Sequence, residues 1–88
     1  MKLNENFVLR QVASTWVVLP LNSDTVNFNG MLRLNGSGAM LWKSLEQGND
    51  RDALVQALTS QYEVTLDQAT QDVDEFLEML AKAGCLEI

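Results

Sequence analysis

The hydrophobic period of this chain changes at Asn35, and that change divides it into a strand-forming part and a helix-forming part. Before Asn35, β-branched and aromatic residues alternate with polar ones, the two-residue repeat of strands packed on one face. Residues 7–12 and 15–19 are two such stretches. The short Ala13-Ser14 turn joins them into an expected hairpin, and Pro20 ends the second because it has no amide proton for a central ladder. Beyond the loop Asn22-Ser23-Asp24, residues 25–28 and 31–34 flank Asn29-Gly30, a strong local hairpin signal. Residues 25–28 are open to two readings, a separate strand or an irregular lead-in to 31–34.

After Asn35 apolar residues recur every three to four positions, the spacing of a buried helix face. Asn35 is the expected N-cap of a first helix reaching about Gln47, with Gly38, Leu41, Trp42 and Leu45 inward and Gly48 supplying the left-handed exit. Asn49 or Asp50 caps a second helix, whose inner side is Leu54, Val55, Leu58 and Tyr62. Thr65 and Gln68 form a capping-box pattern for a third. In it Leu66, Ala69, Val73, Phe76, Leu77 and Leu80 share one arc, and Gly84 closes it. Residues 85–88 complete the chain as a short expected strand. Repeats and linkers are lacking, so residues 1–88 read as a single compact α+β domain, a monomer or small oligomer.

Composition narrows the chemistry. There is no histidine, which removes the commonest general base and metal ligand together, and a single cysteine, Cys85, cannot make an intramolecular disulfide. No metal, cofactor or catalysis is expected. Ser37 lies in Asn35-Gly36-Ser37-Gly38-Ala39, which matches neither a nucleophile elbow nor a phosphate loop and reads as helix-start chemistry. Asp72, Asp74, Glu75 and Glu78 read as a solvated helix face, since nothing in the pattern builds a pocket around them. The opening residues do not read as an apolar secretion signal, and the apolar stretch around residues 16–19 is too short to span a bilayer, so a cytoplasmic location is expected.

Net charge is −6, unevenly distributed. Residues 1–44 carry four bases against two acids, whereas residues 45–88 carry ten acids against Arg51 and Lys82. That surface repels phosphate backbones. Two features suit a peptide instead. On the third helix Met79 and Ala83 widen the apolar arc beyond Phe76, as a groove would require. The strand of Met31, Leu32, Arg33 and Leu34 is a candidate edge that offers amides and carbonyls to an added strand.

The string Leu34-Asn35-x-Ser37-Gly38-Ala39-x-Leu41-Trp42 resembles the start of the first helix in the PqqD-like family of coenzyme PQQ synthesis protein D and related RiPP recognition elements. Tyr62 with Val64, Asp72-Val73, Phe76-Leu77, Leu80 and Gly84-Cys85-Leu86 are similar to that family's closing helix and its exit. The resemblance implies a winged-helix-like fold, a three-stranded wing on three helices, without enzymatic activity. It implies recognition of the leader of a ribosomally made precursor peptide, in PQQ biosynthesis or another pathway, and its presentation to a modifying enzyme, often of the radical SAM class. The leader is implied to add to the strand of Met31, Leu32, Arg33 and Leu34, over Asp72, Phe76, Met79 and Ala83. Two other readings compete. A winged-helix DNA-binding regulator would place the third helix in the major groove despite Asp67, Asp72, Asp74, Glu75 and Glu78, and a carrier domain would load Ser37 outside the usual Asp-Ser-Leu context.

Overall fold

The computed structural model describes residues 2–21 and 32–87. The order of elements is β1 (Lys2–Leu3), β2 (Phe7–Val12), β3 (Thr15–Pro20), β4 (Leu32–Leu34), α1 (Gly36–Glu46), α2 (Arg51–Gln61), α3 (Leu66–Lys82) and β5 (Leu86–Glu87). β2, β3 and β4 form an antiparallel sheet in that order, and β1 pairs antiparallel with β5 in a separate two-stranded ladder. The architecture is α+β and winged-helix-like.

In the β2–β3 hairpin Val12 faces Thr15 across a two-residue loop, and Ala13 takes the positive φ of 56° that so tight a turn demands. Pro20 is itself the last paired residue of β3, opposite Phe7, one position further than the sequence suggests. A proline is tolerated there because a strand end has little ladder left to break. Cross-strand rows alternate between two faces. Leu9, Val18 and Leu32 share one row, and Trp16 and Leu34 the next, on the face that meets the helices; Arg10, Val17 and Arg33 share a row on the other face.

The helix boundaries follow from local chemistry. Asn35 Oδ1 accepts from the Gly38 amide at 2.8 Å, Asp50 Oδ1 from Ala53 at 2.9 Å and Thr65 Oγ1 from Gln68 at 3.1 Å, each satisfying a first-turn amide. The capping box at Thr65 is only half formed, because the Gln68 side chain turns away to donate to Asp72. α1 and α3 both end in Schellman motifs. Gly48 and Gly84 take φ of 87° and 81°, and the following amides of Asn49 and Cys85 donate back to the carbonyls of Ser44 and Leu80.

One core joins sheet and helices, with Phe7, Val18 and Leu34 from the strands and Leu41, Trp42, Leu54, Leu58, Val73, Phe76, Leu77 and Leu80 from the helices. Two residues expected inward lie outside it. Leu66 is 65% exposed, because it opens α3 before the helix reaches the core. Tyr62 is 43% exposed, because it caps α2 in extended conformation and leaves the helical face. Residues 25–28, read as a separate strand or an irregular lead-in, the Asn29-Gly30 turn and Met31 lie outside the described residues.

Candidate peptide-binding site

Two elements frame the site. β4 is an edge of its sheet among the described residues, paired with β3 through Leu32–Val18, Arg33–Val17 and Leu34–Trp16. Its side chains divide by pleat. Leu34 is buried and Leu32 half-buried on the core side, whereas Arg33 projects from the opposite face and is exposed. Arg33 therefore offers an added strand its backbone rather than its guanidinium. β4 is held in place from its end. Gly38 lets α1 start close under it, since a Cβ there would come within 3.2 Å of Leu34 Cβ and of the Asn35 cap oxygen.

The second element is one flank of α3. At about 100° per residue, Asp74 and Asp72 stand about 200° apart around the helix, with the core arc of Ala69, Val73, Phe76, Leu77 and Leu80 between them. Asp74 is engaged by α2. Arg51 donates to both of its carboxylate oxygens, at 2.5 and 2.8 Å, and holds that carboxyl below the ordinary aspartate range. The opposite flank carries Asp72, Phe76, Met79 and Ala83. Phe76 is buried, Asp72 and Ala83 are half-buried and Met79 is 37% exposed. Beside Met79 lies a shallow hollow of about 360 Å³ with Glu75, Glu78 and Lys82. Phe76 and Leu34 both belong to the continuous core, and Leu32 and Ala83 border it from the two elements. Met31 alone of the sequence-derived site cannot be placed, lying outside the described residues.

The sequence did not point to a second concavity, a cleft of about 510 Å³ between the N-terminal strand and the end of α1, walled by Leu3, Phe7, Val8, Trp42 and Leu45. Its walls come from residues 2–8 and 42–48, which lie far apart in the sequence, and no local period marks it.

Chemistry elsewhere is sparse. Ser37 donates its hydroxyl to Asn35 Oδ1 at 2.9 Å, as part of the helix start. Among the described residues no three His, Cys, Asp or Glu side chains gather closely enough to hold a metal ion. Burial pushes the Cys85 thiol up to about 11, which keeps it protonated and unreactive at neutral pH. Asp67, Asp72, Asp74, Glu75 and Glu78 on α3 oppose any approach to a phosphate backbone.

The family model for coenzyme PQQ synthesis protein D (PqqD) matches residues 15–86. The chain belongs to the PqqD family. That match takes in β4 and α3 together, so both parts of the site lie within the PqqD-family region. Among solved structures, this PqqD-family chain is similar to TbiB1 in complex with the TbiA(beta) leader peptide, with a TM-score of 0.81 and 26% identity over 99% of this chain and 95% of that one. It is also similar to lasso peptide synthetase B1 complexed with the leader peptide, with a TM-score of 0.78 and 25% identity over 96% and 93% of the two chains. No curated protein matches significantly by sequence.

Proposed function

We propose that this PqqD-family chain binds the leader segment of a ribosomally made precursor peptide and presents it to a modifying enzyme, without catalysing the modification itself. The leader joins the sheet as a strand on the outer edge of β4. It lays alternate side chains against the Asp72, Phe76, Met79 and Ala83 flank of α3. Two observations support this reading, a sheet edge at β4 and a partly exposed apolar flank on α3, in a fold shared with two proteins solved with leader peptides. Backbone hydrogen bonds to β4 supply affinity, and the flank supplies selectivity. We take residues 1–88 as one recognition domain acting in the cytoplasm, and a radical SAM enzyme as a partner class that fits. No helix among the described residues is long and apolar enough to cross a membrane.

Met79→Asp tests the site, because Met79 borders the groove without belonging to the buried core. Placing a charge against an apolar ligand side chain should weaken binding roughly tenfold or more while the melting temperature stays near wild type. Titration calorimetry with a synthetic leader, taken from a precursor gene if one is found beside this one, reads the affinity, and amide shifts map the contact. Unchanged affinity, or shifts confined to α2, would falsify the placement.

A further inference from the structure

The carboxylates of α3 are not equivalent. Asp74 is paired with Arg51 and Glu78 with Lys82 at 3.0 Å. Asp72 and Glu75, on the groove side, have only amide partners: Gln68 Nε2 donates to Asp72 at 2.8 Å and Gln71 Nε2 to Glu75 at 3.2 Å. A neutral donor orients a carboxylate without cancelling its charge. The remaining cations, Lys2, Arg10, Arg33 and Lys43, all lie before α2, and residues 22–31 contain neither Lys nor Arg. Among the described residues, therefore, no cation pairs with Asp72 or Glu75. Asp72 is moreover half-buried, so a strand laid over it removes water from a charge that no cation among the described residues pairs with.

We infer that the groove selects a leader segment carrying a Lys or Arg that meets Asp72 and Glu75, followed toward the Ala83 end by apolar residues at alternate positions. This rests on the groove proposed above and adds the chemistry of its ligand. Spacing follows from the two repeats. From Asp72 to Ala83 the helix axis advances about 16 Å at 1.5 Å per residue. Side chains on one face of a strand recur about every 6.7 Å, so about three of them span that length. The first faces the Asp72 and Glu75 carboxylates, and the next two face Phe76, Met79 and Ala83. Read from the Asp72 end to the Ala83 end, in whichever direction the leader runs, the recognised pattern is basic, spacer, apolar, spacer, apolar. The cation supplies a charge-assisted hydrogen bond where a neutral residue would leave a carboxylate desolvated and unpaired.

The test uses a displayed library of random 12-residue peptides selected on the full chain and, in parallel, on the folded double variant Asp72→Asn, Glu75→Gln. Wild-type binders should be enriched in the basic-x-apolar-x-apolar pattern, read in one of the two chain directions, and the variant's binders should lose the basic position. For one selected peptide, replacing its basic residue by Gln should weaken binding to the wild type roughly tenfold and leave binding to the double variant unchanged. Added salt should weaken only the wild-type complex appreciably. Binders that shift the β4 and α3 amides and are lost in Met79→Asp, yet show no basic preference, overturn this inference and leave the proposed function standing. So does a basic preference that persists in the double variant. Binders that leave β4 and α3 unshifted, or no recovered binders, overturn both.

Discussion

Trp42 is 1% exposed, and its Nε1 proton has no acceptor among the described residues. The ring thus adds a large apolar area to the core and one unsatisfied donor, effects of opposite sign. Truncating a buried Trp to Ala typically costs about 3–5 kcal/mol, while a buried unpaired donor costs about 1–3 kcal/mol. Trp42→Ala should therefore unfold or nearly unfold the chain, whereas Trp42→Phe, which removes the donor and keeps most of the ring contact, should retain a cooperative melt. Equal melting temperatures for the two variants would show that Trp42 is not the centre of the core. Cys85 gives a second residue-scale expectation. Its thiol is fully buried and pushed up to about 11, against about 8.5 in an unfolded chain. The unfolded state then loses its proton first as pH rises. The contribution to stability is complete below about pH 8.5 and is lost as pH climbs toward about 11. Stability curves of the wild type and Cys85→Ala should draw closer across that alkaline window, and alkylation at pH 8 should be fast only in denaturant.

Helix ends were the most legible elements, because capping is written in adjacent residues. Asn35, Gly48, Thr65 and Gly84 all stand where their side chains or their glycine freedom suggested. Leu66 and Tyr62 misled because periodicity assigns a face without knowing where a helix leaves the core. β1 was invisible: two residues carry no period, and its partner β5 is more than 80 positions away. In the candidate site, the apolar flank of α3 was readable from Phe76, Met79 and Ala83. The distinction between Asp74, which has a cation, and Asp72, which has none among the described residues, required the packing of Arg51 from another helix. Gly84 provides the element-scale test. A Cβ there meets nothing within 4 Å, so Gly84→Ala carries only the cost of the left-handed conformation, about 1–2 kcal/mol. A denaturation midpoint equal to wild type would contradict the Schellman exit of α3.

At the scale of the whole molecule, charge divides the chain into two parts, residues 1–44 with four bases against two acids and residues 45–88 with ten acids against Arg51 and Lys82. A leader held between β4 and α3 lies at the junction of the two. The ladder of β1 and β5 has a different consequence. Lys2 and Glu87 are register partners on neighbouring antiparallel strands, about 5 Å apart by ordinary sheet spacing. Such a unit can be spliced into a surface loop of a host protein with short joints, departing from and returning to nearly the same point. Inserting residues 2–87 into a loop of a well-folded host should leave both units melting cooperatively, and separate loss of this unit's transition would show that β1 and β5 do not hold together. The same closeness makes the module portable: grafted onto an unrelated catalyst, it would tether substrate at a defined distance without adding a long flexible arm.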